Sequence, residues 1–321
     1  MRYFTMVLVG FGLAAIIYAG FFVASLGQMN SNAAAYVGGW YRHKEEVAAK
    51  LPSPRILVVG GSSALYGITA RRIEDVTGVR AVNFGVHGAL SLEYQLDKIR
   101  RVAREGDTVL LALEYALYLP GEVNTVFSDY VLGADPGFLG ELPMSELPQW
   151  TLAASWDRTL ERLVALPHQR KKLREEVDWE LENKFNDRGD RISNLSADQG
   201  VFNAEAIEDL GPLRTIVKGD WSEPSEAWTT IGKFVGWCRE SGVEVLATFP
   251  NTIYFAEYEG GELEAVSRIL EEGYATLGVP LLGTAEEFMY PEKDFFDSIY
   301  HLNRAASEAR TDRLIELLRE R

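Results

Sequence analysis

The residues most suited to chemistry sit in the stretch "ILVVGGSSALYGI", Ile56 to Ile68. Four apolar residues run into two glycines, then Ser62 and Ser63, and then a helix-like segment. A serine at such a turn has two uses. Its side chain can cap the helix. Alternatively its hydroxyl stands at the carboxyl end of a strand, where the backbone N–H groups and positive dipole end of the helix face the same spot. The second arrangement suits a nucleophile whose substrate develops an oxyanion. A phosphate loop would need G-x-G-x-x-G or G-x-x-x-x-G-K-[ST]; neither is present and no lysine follows the turn.

A nucleophilic serine needs a base, and the base needs an orienting group. The chain has 4 histidines. His43 falls in a polar segment and His168 in a charged one, and both are expected at the surface. His87 lies in "NFGVHGA" and His301 in "FFDSIYHLN". Asp297 precedes His301 by one helical turn in sequence, and Asn303 is placed to cap the helix that follows. Taken singly, each of these residues also has a structural reading: Ser62 and Ser63 as caps, His301 as a packed histidine, Asp297 as a turn former.

These residues must be held by a scaffold, and the chain alternates in a way that supplies one. Apolar runs at Arg55–Gly60, Val79–Gly85, Asp107–Glu114, Val243–Pro250 and "VPLLG" read as buried strands. Helical patterns separate them, at Thr69–Gly78, Ser91–Gly106, "PSEAWTTIGKFVGWCRESG" and Glu262–Leu277, and a last one closes the chain at Asn303–Glu320. Near-continuous apolar strands alternating with helices predict a doubly wound, flavodoxin-like α/β fold with a parallel five-stranded sheet. Ligands in that architecture bind beyond the carboxyl ends of the strands, where Ser62, His87 and His301 all fall. Residues from about 115 to 223 break the rhythm with prolines and a charged pattern, Ser155 to Phe185. They read as an inserted helical region, either a lid or partner surface or a solvated helix pair. Asn194-Leu195-Ser196 matches a glycosylation acceptor.

From Tyr3 to about Leu26 the sequence carries no charge and is long enough to span a bilayer. Cleavage after Ala35 would make it a signal sequence, but the apolar core is long for that, so an uncleaved anchor is expected. Arg2 precedes the span, which favours a cytoplasmic N-terminus and puts the rest outside. The expected organisation is an anchor over residues 1–27, a polar connector over 28–54 with a short helical pattern in "YRHKEEVAAKL", and an α/β domain over 55–321. The formal net charge of -15 disfavours nucleic acid as a partner. The single cysteine, Cys238, excludes an intrachain disulfide and a multi-cysteine metal site, and sits in a core helix pattern. No metal site or cofactor is indicated.

Taken together, these blocks resemble the SGNH/GDSL hydrolase superfamily. "GGS" is similar to the Gly-Asp-Ser block, which implies Ser62 as nucleophile and puts Gly61 at the aspartate position. "NFGVHGA" resembles the second block and implies Gly85 as an oxyanion-hole donor. "DSIYHLN" resembles the last block and implies Asp297 and His301 as triad partners, with one residue more between them than the usual Asp-x-x-His. The third-block Asn is missing. Glu114 or Tyr115 stands in its place, so that either Tyr115 donates or the hole, with the Ser62 N–H and Gly85, has two donors. With an N-terminal anchor, the chain resembles the extracytoplasmic acyl-transfer proteins of envelope polysaccharides, including alginate O-acetylation and teichoic-acid D-alanylation proteins. The resemblance implies an inner-membrane, single-pass protein with a periplasmic or extracellular domain. It would carry an acyl group from a membrane-bound O-acyltransferase partner, through acyl-Ser62, to a polysaccharide or other glycan. A carbohydrate esterase and a catalytically inactive envelope scaffold are the alternatives.

Overall fold

The computed structural model describes residues 2–28, 31–119, 121, 123–154, 160, 164, 167–194, 216–219, 221, 226–295 and 298–321. In chain order, α1 (Arg2–Ser25) and α2 (Asn32–Lys50) precede β1 (Arg55–Val59), α3 (Ser62–Gly67), α4 (Ala70–Thr77), β2 (Arg80–Asn83), α5 (Leu92–Arg100) and β3 (Thr108–Leu111). Helices α6 (Thr125–Ala134), α7 (Leu147–Ala153) and α8 (Pro167–Lys184) follow. The chain closes with α9 (Glu226–Glu240), β4 (Glu244–Thr248), β5 (Thr252–Ile253), α10 (Glu262–Thr276), β6 (Leu281–Leu282), β7 (Met289–Tyr290) and α11 (Arg304–Arg319). Two compact units result, one of residues Met1–Gly39 with Glu122–Glu180, the other of Trp40–Gly121 with Leu181–Arg321.

The second unit is the α/β fold expected from the sequence. Its 5-stranded sheet has the order β2-β1-β3-β4-β6, and every pairing in it is parallel. Strands β1 and β3 are apolar because both faces are covered: Leu57, Val58, Val109, Leu110 and Leu111 are wholly buried. Helix α11 packs against α3 and α4, and α9 packs against α5 and β4. The order reverses at β1, so the switch point where such sheets bind ligands lies between the carboxyl ends of β1 and β3. Asn303 caps α11 as expected, its Oδ1 accepting from the Ala306 N–H at 3.0 Å. Cys238 is fully buried, and burial pushes its thiol up to about 12.

Within residues 28–54, the short helical pattern expected at Tyr41–Leu51 is part of a longer helix with a buried face. Residues Asn32–Lys50 form a helix of 19 residues, and Tyr41, Lys44, Val47 and Ala48 on it are buried. Their spacing is that of a helix face. The stripe is masked in the sequence because one member is a lysine. The Lys44 ammonium donates to the carbonyls of Asn83 and Gly189 at 2.7 and 2.6 Å, and burial pushes it down to about 7. His43, expected at the surface, is half-buried, edge-on to Phe185. His168 is exposed.

The first unit joins the N-terminal helix to part of the inserted region. Helix α1 holds the 23-residue apolar stretch Tyr3–Ser25, nearly all of it exposed, and it is long and apolar enough to cross a membrane. Its last turn is embedded: Phe22 packs with Leu132 and Ala154, and the Gly27 N–H donates to the Leu132 carbonyl at 2.8 Å. Helix α8 carries the charged pattern and buries Leu173, Val177 and Glu180. Residues 195 and 196 of the glycosylation match lie outside the described residues.

Candidate active site

The strand-to-helix turn after β1 is built by glycines. A Cβ on Gly60 would stand 2.4 Å from the Ala112 carbonyl oxygen, and one on Gly61 would stand 2.5 Å from Gly88 Cα and 2.6 Å from Gly88 N. No side chain fits at either place without moving backbone. Helix α3 therefore starts at Ser62, with Gly61 as its N-cap and no side-chain cap. Neither serine caps the helix. Ser63 is buried and its hydroxyl donates to Asn251 Oδ1 at 3.1 Å. Ser62 is half-buried, and its hydroxyl has no hydrogen-bond partner among the described residues. Of the two, Ser62 is the one placed to react.

Glu114, which follows β3, comes back onto this turn. Its Oε2 accepts from the Gly61 N–H at 2.9 Å and its Oε1 from the Ser63 N–H at 2.8 Å. The carboxylate lies where a side chain on Gly61 would go: a Cβ there would be 2.5 Å from Glu114 Oε1. Glu114 is 2% exposed. Burial raises its pKa, opposed by the N–H groups of Ser63 and Gly61, by its own N–H and by the nearby charge of His301. Between the two N–H groups that Glu114 takes, the Ser62 N–H has no acceptor among the described residues.

His301 reaches the same end of the sheet. Its ring stacks on Tyr66 with centroids 4.1 Å apart and planes at 25°. Tyr66 lies one helical turn beyond Ser62, so the two share a face of α3. The Arg191 guanidinium lies 5.5 Å from the centre of the Tyr66 ring and 5.2 Å from that of Trp40. The segment bearing His301 is tied at both ends. Phe295 bridges Leu302 in an antiparallel pair. The Asn251 amide donates to the Tyr300 carbonyl at 2.7 Å, and the Asn194 amide to the Leu302 carbonyl at 3.0 Å. His87 completes the cluster. Its Nδ1 accepts from the Ala89 N–H at 3.0 Å, and burial and the neighbouring His301 lower its pKa.

His301, stacked on Tyr66, thus lies against the helix that Ser62 opens, and it is near enough to His87 and Glu114 to act on them electrostatically. Asp297 lies outside the described residues. The expected donor Gly85 is occupied: its N–H donates to Asn83 Oδ1 at 2.8 Å. It is a glycine because α3 packs onto it, leaving a Cβ only 2.4 Å from Leu65 N. Tyr115 is wholly buried with its ring edge-on to Trp221, and its hydroxyl has no partner among the described residues. Burial raises it far above the ordinary phenol range.

Two positioning residues escape a reading of the sequence. Asn83 donates to the Ala64 and Ile68 carbonyls at 3.0 and 2.8 Å, holding the far end of α3. Asn251 joins the Ser63 hydroxyl, the Arg310 guanidinium at 2.7 Å and the His301 segment. The Asn-x-Gly pattern at 83–85 could have signalled the first, since an Asn side chain accepting from the N–H two residues on is a known turn. Nothing local marks the second. Among the described residues no group of three or more His, Cys, Asp or Glu side chains is placed to hold a metal ion.

No family model matches the sequence, and no curated protein matches it. Among solved structures, the crystal structure of protein YxiM from Bacillus subtilis is similar, at 10% identity with a TM-score of 0.39. The similarity covers 84% of this chain and 57% of that one, so the chain spans little more than half of that protein's length.

Proposed function

We propose that the chain is a membrane-anchored serine O-acyltransferase of SGNH type, acting outside the cytoplasmic membrane on a glycan hydroxyl. The observation that carries the reading is the half-buried Ser62 hydroxyl at the carboxyl end of β1, without a partner among the described residues, on the helix against whose Tyr66 His301 stacks. In the proposed reaction His301 takes the Ser62 proton as Oγ attacks an acyl carbonyl, and Asp297 orients the imidazole. The Ser62 N–H, which Glu114 leaves free, meets the oxyanion. The donor's leaving group departs with the proton from His301, giving acyl-Ser62. A glycan hydroxyl, deprotonated by His301, then attacks the ester and Ser62 regains its proton. The acyl donor is supplied by a membrane-bound O-acyltransferase, and α1 keeps the domain at that membrane.

The test is turnover of p-nitrophenyl acetate by the full chain in detergent, with and without a neutral oligosaccharide. The expected result is acetyl ester on the sugar, with release of nitrophenol faster when the sugar is present. Nitrophenol release with all acetate going to water would instead make the chain an esterase. No release by folded protein would favour a scaffold.

A further inference from the structure

We infer that Glu114 is a positioning residue for Ser62, supplying from the end of β3 the carboxylate that the turn lacks at position 61. The inference rests on the acyl-serine reading above. In the sequence, Gly61 and Glu114 are two separate departures from one pattern. In space they meet: the carboxylate fills the volume that glycine leaves empty, 2.5 Å from where a Cβ would be. The turn cannot carry its own carboxylate, because Gly88 Cα and N also stand 2.5 and 2.6 Å from that point. Removing Glu114 would therefore not make room for one.

The two bonds from Glu114 fall on either side of the nucleophile, at the N–H groups of Gly61 and Ser63. Charge-assisted bonds of this kind are roughly twice as strong as neutral ones. A bidentate carboxylate fixes the direction of the peptide units flanking Ser62, and with them the Ser62 N–H between. The remaining groups near the site are not arranged to replace it. The side-chain acceptors nearby are already engaged: Asn251 Oδ1 accepts from the Ser63 hydroxyl and from Arg310, and Asn83 Oδ1 from the Gly85 N–H. Acting through the turn, Glu114 should govern how fast Ser62 is acylated and not how well a substrate docks.

The experiment compares the full chain with Glu114→Gln and Glu114→Ala in detergent, with folding checked by circular dichroism. Two readouts are taken: hydrogen exchange of the 60–66 peptide, and the inactivation rate constant and half-saturation concentration of a fluorophosphonate on Ser62. An amide has one oxygen, so Glu114→Gln should keep one of the two N–H bonds and Glu114→Ala neither. The expected result is exchange at Gly61 and Ser63 that quickens by roughly tenfold or more in Glu114→Ala and less in Glu114→Gln. The inactivation rate constant should fall about 10- to 100-fold in Glu114→Gln, with the half-saturation concentration within about twofold of the wild type. Unchanged exchange in either folded variant overturns the inference, and so does faster exchange with an unchanged inactivation rate constant. If Glu114→Ala does not fold, Glu114→Gln decides alone. If the wild type is not labelled at all, the acyl-serine reading fails, and with it the role assigned to Glu114; the exchange data then say only whether the carboxylate holds the turn.

Discussion

Replacing His301 with alanine is expected to slow acylation of Ser62 by about 10³-fold while leaving the protein folded. His301 stacks on Tyr66 and is half-buried at the surface of the sheet's carboxyl end, so its loss removes that ring contact without opening the core of the sheet. Its backbone position is held independently by Asn251, Asn194 and the Phe295–Leu302 bridge. The cost in stability should stay near 1 kcal/mol. The measurement is the second-order rate constant for a fluorophosphonate, taken beside a thermal melt. A rate within threefold of the wild type would remove His301 as the base.

The second large effect lies at the opposite end of the sheet and concerns stability alone. Arg55 opens β1 and Asp107 precedes β3, and the side chains of both are wholly inaccessible. Asp107 Oδ1 accepts from the Arg55 backbone N–H at 3.0 Å and from Nε at 3.2 Å, and Oδ2 accepts from the Arg104 N–H at 3.0 Å. The guanidinium also donates to the Ala48 carbonyl and, at 2.9 Å, to the Val102 carbonyl. This one ion pair ties α2, β1 and the start of β3. Asp107→Ala would leave a guanidinium buried without a counter-charge, an expected loss of about 3–5 kcal/mol and roughly 10 °C in the melting midpoint. The double variant Arg55→Met with Asp107→Leu should lose much less, because it buries no charge. An Asp107→Ala protein within 1 kcal/mol of the wild type would contradict the account.

Much of this fold is legible because it is periodic. The buried strands are unbroken apolar runs, and Gly78, at the end of the helix expected over Thr69–Gly78, adopts the left-handed conformation that stops α4. At α2 the helix is legible but not its burial, because the inward face contains a lysine whose two carbonyl acceptors, Asn83 and Gly189, are remote in sequence. In the site, the placement of Ser62 and His301 at one end of the sheet follows from strand order. What they lean on does not. Gly85 looks like a free N–H donor until Asn83 is seen to hold it. Glu114 looks like an intruder on an oxyanion site until it is seen in the space beside Gly61. Asn251 shows no motif, and its role comes from three partners on different elements.

The claim that Ser62 is the nucleophile is tested most directly by mapping a fluorophosphonate adduct on the full chain by mass spectrometry. Ser62→Ala and Ser63→Ala serve as controls, since the two hydroxyls are adjacent in sequence but only Ser63 is hydrogen-bonded in the core. The account predicts an adduct on Ser62 that disappears in Ser62→Ala and persists in Ser63→Ala. An adduct on Ser63, or none on folded protein, would contradict it.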